Sequence, residues 1–562
     1  MKQINTIITL SILSSSLLLG ATPNIGDVIK QVQPPKEVTQ QKETPLVEIG
    51  GAKKYAPVMA EDTSGKTIFV KSFKIEGAIH IKEEILLKRI ASYTNKELTF
   101  KELQEVTSII TKEYRNQGYF VARAYLPVQN INENDGVITI AIIEGNYGEF
   151  KLNNDSLVNN HVVQAMLDDA KRDNVVSTHT LERAMLIIND TPGVVVTQAD
   201  VMPGAKVGTS DFAITTQASK AYDGYVIVDN QGSRYTGKNR LMAGINFNSP
   251  FKIGDKISLS GLLSDSTDLS NARASYSSIL MPNGLKGEIS YSHTTYELDE
   301  EYKSLDAKGN SKTLDATLSY PIVRTRLQNL YASLSFAHKE LKDEIQSTND
   351  TTKKDADVLT LGLNYDKNYL AFGLDSQSFA NIGLTYGNLS FDDNAKRTAD
   401  ENGANTNGNY SKISLDLGHN IAFTPLISLE SSLQMQYALG NKNLDGSEDL
   451  SIGGANGVKV YPDGELSAEN GYVFSTELKY RLPNIHELSN TIGVFYDKGR
   501  VFMANNTVGF ESNSLQDVGV GYYASYKDFF GKLQVAWTAN SDAVSSEPSS
   551  NSRILFQGGW SF

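Results

Sequence analysis

The side chains that most often carry out catalysis are few and scattered in this sequence. The chain has no cysteine, which removes thiol nucleophiles, disulfides and thiolate metal sites. Its seven histidines do not fall at a metal-ligand spacing such as His-Glu-x-x-His, and no Gly-x-Ser-x-Gly elbow or Gly-x-x-x-x-Gly-Lys phosphate loop occurs. Acidic runs such as Asp299-Glu300-Glu301 lie in predicted loops, where solvated charge is the simpler interpretation. We therefore expect no enzyme, metal or cofactor, with an isolated Ser/His pair as the remaining catalytic alternative.

The last nine residues alternate strictly between two faces. One face carries Ile554, Phe556, Trp560 and Phe562, and the other carries Leu555, Gln557, Gly559 and Ser561. Strands of outer-membrane β-barrels present apolar groups to lipid and mixed groups to the lumen, with aromatic residues at the membrane interface. The pattern predicts a barrel-closing strand, with Trp560 and Phe562 as a signal for barrel assembly.

The other end of the chain has the pattern of a secretory signal. Met1-Lys2-Gln3 is a short cationic start, residues 7–19 form an apolar run, and Leu19-Gly20-Ala21 offers a small-residue cleavage site. The run is too short for a spanning helix of about 20 apolar residues. We interpret residues 1–21 as a signal peptide, with a buried N-terminal helix as the alternative.

Composition is compatible with a barrel and argues against nucleic acid as a partner. The formal net charge is -13, which opposes binding to phosphate backbones. Hydrophobic content is only 40%. A barrel strand turns half of its residues toward water, so a polar average does not exclude a membrane protein.

Before the barrel, the sequence divides into an arm and two α/β modules. Residues 22–66 carry Pro34-Pro35 and a Gln/Lys/Glu-rich stretch, typical of a linker or arm, with a possible short helix that plugs a pore. Residues 67–147 begin with a predicted single strand around Phe69–Phe73 and contain a helix capped by Thr99, with Glu102 completing a capping box. Residues 148–217 repeat the α/β pattern.

From residue 218 to 562, segments of about ten alternating residues recur between Asn/Asp/Gly-rich loops of alternately short and long length. This predicts a transmembrane antiparallel β-barrel of about 16 strands, with short periplasmic turns and long extracellular loops. A soluble β-sandwich is the alternative.

Several stretches resemble a known family. Gly118 to Gln129, followed by Ile143-Glu144-Gly145, resembles the first POTRA domain of two-partner secretion transporters, the TpsB family. Asn189-Asp190-Thr191-Pro192-Gly193-Val194 resembles the second POTRA domain. The barrel opening Asp229 to Gly237 and the stretch Tyr320-Pro321-Ile322-Val323-Arg324 also match. The resemblance covers nearly everything after residue 66.

The resemblance implies α+β periplasmic POTRA domains followed by an outer-membrane barrel that secretes an unfolded exoprotein, an adhesin or haemolysin. It suggests client-binding residues in the first POTRA domain: Gly118, Tyr119, Arg123, Leu126 and Pro127. Expected partners also include barrel-assembly machinery, periplasmic chaperones and outer-membrane lipid. The alternatives are an assembly factor of the same superfamily, a passive porin, and POTRA modules that act only as spacers.

The resemblance also implies a loop, at about 450–472, that folds into the lumen. In the family a Gly-Gly pair precedes a Val-Arg-Gly-aromatic tetrad; here the pair is Gly453-Gly454 and the tetrad reads Val458-Lys459-Val460-Tyr461. The family arginine pairs with an aspartate, and Asp497 stands at the matching position. We therefore expect a Lys459–Asp497 pair that is looser than the arginine version, partly hydrated and mainly positional, with a solvated loop lysine as the alternative.

Overall fold

The computed structural model describes residues 23–32, 66–129, 135–265, 268–505, 512–539 and 550–562. The predicted signal peptide and most of the predicted arm lie outside the described residues. The first described segment forms helix α1 (Ile25–Ile29), extended by a short 3₁₀ turn to Val32. No helix among the described residues combines the length and apolarity of a membrane span.

Module 1, which runs from β1 to β5, has two small sheets packed against two helices. Its elements are β1 (Thr67–Val70), β2 (Ser72–Glu76), α2 (Glu83–Ile90), β3 (Lys96–Thr99), α3 (Phe100–Asn116), β4 (Arg123–Tyr125) and β5 (Val137–Ile143). Strand β1 pairs with β3, and the second sheet has the order β2-β5-β4. Thr99 caps α3 with Glu102 in a reciprocal capping box, as predicted.

The predicted single first strand was wrong. The chain breaks at Lys71, so that Phe69 pairs with β3 while Phe73 pairs with β5 in the other sheet. Phe69 is consequently half exposed, whereas Val70 and Phe73 are buried in the module core. Alternation read along the sequence does not show that a strand changes its partner.

Module 2, which runs from β6 to β8, repeats the plan with one three-stranded sheet and two helices. Its elements are β6 (Asn146–Asp155), α4 (Asn160–Asp169), α5 (Thr178–Asp190), β7 (Val195–Pro203) and β8 (Thr209–Gln217). The sheet order is β6-β8-β7, so β6 and β7 are its edges. Ser177 caps α5 by accepting a hydrogen bond from the Thr180 amide.

Sixteen antiparallel strands then close into a barrel, in agreement with the predicted number and fold class. The strands before the inward loop are β9 (Tyr222–Asp229), β10 (Arg240–Asn248), β11 (Lys256–Ser264), β12 (Leu269–Ile279), β13 (Lys286–Glu297), β14 (Ala307–Arg324), β15 (Gln328–Ile345), β16 (Asp350–Ala371), β17 (Leu374–Phe391), β18 (Gly408–Ala422) and β19 (Ile427–Ala438). Helix α6 (Asn394–Glu401) lies between β17 and β18. The loop carries β20 (Leu450–Ser451) and β21 (Ser467–Ala468), and the barrel continues with β22 (Asn470–Ile485), β23 (Leu488–Phe502), β24 (Ser512–Tyr526), β25 (Phe529–Thr538) and β26 (Ser552–Ser561).

The last strand closes the barrel against the first one. Residues 557–561 of β26 pair with residues 225–229 of β9, and Phe562 exchanges backbone hydrogen bonds with Gly224. Ile554, Phe556 and Trp560 face outward, whereas Leu555 and Gln557 are buried toward the lumen. The Trp560 ring lies 4.6 Å from that of Phe562 and stacks on Phe529. The terminal aromatic residues therefore complete the seam on its outer face.

Module 2 is joined to the β10–β11 turn and to the end of β14 at one end of the barrel, here called the module end. Arg324, at the end of β14, donates two hydrogen bonds of 2.7 Å to the Asp190 carboxylate at the end of α5. Arg183 donates to the Pro321 carbonyl at 2.6 Å, and the Asn159 amide donates to the Lys252 carbonyl in the β10–β11 turn. Two motifs recognised separately in the sequence, one with Asp190 and one with Arg324, thus meet in space.

We expect the Arg324–Asp190 pair to hold this joint closed. Replacing Arg324 with Ala removes a bidentate, partly buried ion pair, so the joint should open more often. Trypsin cleavage after the exposed Lys220, in the four-residue connection 218–221 between β8 and β9, should accelerate about fivefold. Asp190→Ala should raise the cleavage rate by a similar factor. The double variant should be cleaved little faster than either single variant, because both substitutions remove the same ion pair. Asp200→Ala, elsewhere on module 2, serves as the control; unchanged cleavage in both joint variants would contradict the expectation.

Candidate functional site

The connection between β19 and β22, residues 439–469, folds into the barrel. It begins earlier than the expected range because β19 ends at Ala438, and it ends at residue 469 because β22 starts at Asn470. Its tip packs against the inner wall formed by β22 to β25 and makes a buried apolar cluster there. The members from the loop are Ile452, Val458, Val460, Tyr461 and Ala468, and those from the wall are Val473, Phe495, Val501, Leu515 and Ala536. The lumen is therefore partly filled by a folded element of the chain itself.

The Gly453-Gly454 pair allows the loop to turn tightly upon itself. A Cβ on Gly453 would lie 2.3 Å from the Pro462 carbonyl oxygen. Gly454 has φ +98°, a left-handed conformation that is strained for other residues, and its Cβ would overlap the Asp463 carboxylate. The two glycines therefore let residues 453–454, before the tip, approach residues 462–463, after the tip.

Lys459 and Asp497 meet at the loop tip, with Lys459 Nζ 2.6 Å from Asp497 Oδ2. The Asp497 side chain is fully buried, and that of Lys459 is 13% exposed, so the expectation of a hydrated pair was wrong. Ser475 donates to the other carboxylate oxygen at 2.5 Å. The ammonium also lies 4.5 Å from the centroid of the Phe495 ring, a cation–π contact. The single ammonium group of Lys459 thus binds one carboxylate oxygen and the face of an aromatic ring. An arginine would offer two parallel donors to the carboxylate instead.

A second aspartate, not anticipated from the sequence, supports the tip backbone. Asp517 on β24 lies directly across from Asp497 in the strand register and accepts a 2.7 Å hydrogen bond from the Val460 amide. Val460 keeps a negative φ, so the residue at the glycine position of the family adopts an ordinary backbone conformation. The only signal in the sequence was the alternation of β24, which turns Asp517 toward the lumen.

Tyr461 connects the tip to the barrel seam. Its side chain is fully buried, and its carbonyl accepts a 2.8 Å hydrogen bond from the Arg553 guanidinium on β26. The same guanidinium donates to the Gly232 carbonyl after β9. The loop is therefore attached both to the wall strands and to the place where the barrel closes.

Residues 445–448, in the part of the loop before the tip, are held by buried ion pairs to the wall strands β15, β16 and β18. Glu448 lies 2.5 Å from Lys339 and 2.9 Å from Lys412, and Asp445 lies 2.5 Å from Lys354. Burial alone would raise the pKa of Glu448, but the two ammonium groups outweigh this and lower the pKa to about 2. Glu448 is therefore ionised at any physiological pH.

Helix α1 lies inside the barrel against this loop. The side chains of Ile25 and Val28 are fully buried among lumen residues, and the Ile25 amide donates to Asp343 at 2.8 Å. Gly26 approaches the loop so closely that a Cβ would lie 2.3 Å from the Ser447 amide nitrogen. After the helix, the Gln31 carbonyl accepts a 2.9 Å hydrogen bond from Arg240, which also pairs with Asp229. The described part of the predicted arm thus contains a short helix, and this helix occupies the lumen.

The residues expected to bind a client in module 1 do not form one exposed surface. Leu126 is buried in the module core, and Tyr119 packs against that core, whereas Arg123 is exposed on edge strand β4. Gly118 has φ +92° after α3, and its carbonyl accepts a hydrogen bond from Thr178 of module 2. Pro127 follows Leu126 on the surface. Of these five residues, Gly118 therefore takes part in the contact between the two modules.

Among the described residues, no group of three or more His, Cys, Asp or Glu side chains has a geometry that could hold a metal ion. Buried carboxylates such as Asp497 and Glu448 face lysines instead. The arrangement has a physical effect: the loop 439–469 and helix α1 fill the barrel lumen, and polar contacts hold them in place.

Comparisons with known proteins agree with this architecture. The model of the haemolysin secretion/activation protein family ShlB/FhaC/HecB matches residues 208–522, and the ShlB-type POTRA domain matches residues 68–145. The chain is 30% identical over 438 residues to the heme/hemopexin transporter protein HuxB of Haemophilus influenzae strain 86-028NP, covering 77% of this chain and 76% of HuxB. It is 22% identical to the outer membrane transporter CdiB of Dickeya dadantii strain 3937, covering 85% and 83%. The solved structure of CdiB from Escherichia coli has the same fold, with a TM-score of 0.74 at 20% identity over 90% and 93% of the chains.

Lys459 and Asp497 should behave as one energetic unit. Lys459→Met leaves a buried carboxylate without its cation and should cost about 3–5 kcal/mol of unfolding free energy. The double variant Lys459→Met/Asp497→Asn should lose less than the sum of the single variants, because it removes both charges. Denaturant unfolding of the purified barrel in detergent measures this, with Lys498→Met, on the outer side of the same strand, as the control. Strict additivity would show that the contact carries no coupling.

Proposed function

The chain belongs to the haemolysin secretion/activation family ShlB/FhaC/HecB and is an outer-membrane transporter of two-partner secretion, and we propose how its parts handle the client. An unfolded exoprotein is recognised by module 2 in the periplasm, displaces α1 and passes through the barrel lumen. The observation that supports this sequence of events is a lumen filled by α1 and by the loop 439–469, both held through polar contacts. A passive porin needs neither filling element, and an assembly factor is not the activity of this family.

We propose that residues 148–217 form a second POTRA domain and that the client pairs with its edge strand β7. In the three-stranded sheet of module 1, each edge strand has one backbone amide that donates to a side chain of the same module. The Ile75 amide on β2 donates to Glu83, and the Ala124 amide on β4 donates to Thr111. In module 2 the Asn189 side chain accepts from the Val196 amide, before a bulge in β7. The remainder of β7, residues 198–203, is paired on one side only, by β8. An unfolded chain can add to such an edge through main-chain hydrogen bonds.

The nature of the client is a proposal from similarity. The relative with 30% identity is named a heme/hemopexin transporter protein, which supports an exoprotein that handles heme or hemopexin. The adhesin or haemolysin expected from the sequence is the other candidate. We propose further that residues 1–21 direct the chain to the periplasm, and that chaperones and barrel-assembly machinery insert it, with Trp560 and Phe562 as the assembly signal. No catalytic step is proposed.

The edge-strand proposal is tested in cells that lack the genes for this chain and for its exoprotein. The exoprotein is then expressed in these cells with or without this chain. Exoprotein should reach the medium only when this chain is present. A photoreactive residue at the exposed position Gln198 on β7 should crosslink to the client, and one at Lys74 on the capped strand β2 should not. Equal crosslinking at both positions would remove β7 as the preferred edge, and absence of release with the intact chain would contradict the transport function itself.

The plug proposal predicts that Gly26→Val opens the pore. The new side chain meets the backbone of Gly446 and Ser447, so α1 can no longer seat on the loop. Single-channel recordings of the purified full chain should show an open probability about tenfold higher, since a loss of about 1.4 kcal/mol in docking gives that factor. Ile29→Val, a small change on the same helix, is the control; equal open probability in both variants would reject α1 as the plug.

A further inference from the structure

Module 2 covers only one part of the module end of the barrel. Its contacts are with the β10–β11 turn through Lys252, the β12–β13 turn through Asn283, and the β14–β15 turn through Arg324. On the far side, Phe372 in the β16–β17 turn is fully exposed, and a Cβ on the adjacent Gly373 would meet nothing within 4 Å. Among the described residues, module 2 therefore leaves the module end uncovered on the side of strands β16 to β26.

A trough lies in the lumen wall on this open side. One cavity of about 560 Å³ is bounded by the periplasmic ends of β18, β19 and β22 to β26. A neighbouring cavity of about 540 Å³, toward β16 and β17, shares Ala422, Ser428 and Glu430 with it. The strand register places these residues on the lumen face, opposite the lipid-facing Leu429 and Leu478. The two cavities thus adjoin along the open half of the mouth.

The larger cavity of the trough combines an exposed arginine with aromatic surface. Its larger cavity is lined by four cationic side chains, Lys479, Arg481, Lys527 and Lys532, against two acidic ones, Glu430 and Asp528. Lys479 is already neutralised, because it lies 2.6 Å from Glu430 and 3.7 Å from Glu477. Lys527 lies 3.6 Å from Glu487, and the smaller cavity adds the acidic Asp375. Arg481 is exposed at the mouth. The rings of Tyr523 and Phe530 form part of the same wall.

We propose that this trough is the docking site at which an extended segment of the exoprotein, bearing acidic and apolar side chains, first enters the lumen. The inference rests on the proposed transport function and adds a location and a chemical preference to it. Carboxylates of the client meet Arg481, apolar side chains lie against Tyr523 and Phe530, and hydroxyl and amide groups of the wall hydrogen-bond its backbone. By strand register the site is nearer to the module end than the described α1 and the loop tip, so neither of these two elements covers it.

The chemical preference is tested by binding of a labelled peptide to the purified full chain in detergent. The probe is a short unstructured peptide of alternating Glu and Leu residues, and its counterpart has Gln in place of Glu. The Glu peptide should bind the wild-type chain, and Arg481→Glu should weaken it about tenfold, as expected for reversing one charge in a partly enclosed site. Arg500→Glu, an exposed arginine on β23 outside the trough, is the matched control. Equal affinity of Arg481→Glu and wild type, or of the two peptides, would overturn the proposal.

The location is tested in cells that release the exoprotein. A photoreactive residue at Tyr523 should crosslink to the client, and the crosslink should weaken in the Arg481→Glu background. Release with crosslinks confined to module 2 would overturn the docking site and leave the transport function standing. Absence of release with the unmodified chain would contradict the transport function, whatever the peptide binds.

Discussion

The structure depends on one constraint: every backbone amide and carbonyl within the bilayer must find its partner inside the protein. Sixteen strands meet it by closing into a cylinder, and the short pairing of β26 with β9 removes the last free edges. Closure on this scale leaves a lumen wide enough to hold other elements. The inner wall is free to carry charge because lipid contacts only the outer face, and the loop and α1 use that charge for their attachment.

The attachments inside the lumen differ in kind from those of a folded core. The loop tip has a small apolar cluster, but its fixed points are the Lys459–Asp497 pair, the amide of Val460 on Asp517 and the pairs of Glu448 with two lysines. Helix α1 adds two buried apolar side chains and hydrogen bonds to Asp343 and Arg240. In the proposed opening of the pore, water would hydrogen-bond to the polar groups that separate, so the free-energy cost of displacing these elements would be moderate. Water cannot replace the contacts of the outward-facing strand residues in this way, because these residues face lipid.

The sequence predicted the features that depend on local periodicity or on a motif. Alternation gave the barrel, the capping box gave the start of α3, and the residues of the loop motif gave the Lys459–Asp497 contact. Features that depend on pairing between distant segments were missed. The division of the first strand at Lys71 follows from a change of partner, and the role of Asp517 follows from its register opposite Asp497. The environment of the lysine was also misjudged, because its burial is produced by Phe495 and the loop cluster together.

The loop tip departs from the family tetrad at two positions. The barrel wall can still hold it, because several groups share its attachment. An arginine could bind Asp497 through two parallel donors, and a lysine offers a single ammonium. Here Ser475 occupies the second carboxylate oxygen, and Phe495 lies under the ammonium. Val460 supplies a backbone donor to Asp517, and Arg553 holds the carbonyl of Tyr461. The position of the loop is therefore set by a group of contacts from three wall strands and the seam, and the identity of the cation in the tetrad is one contribution among them.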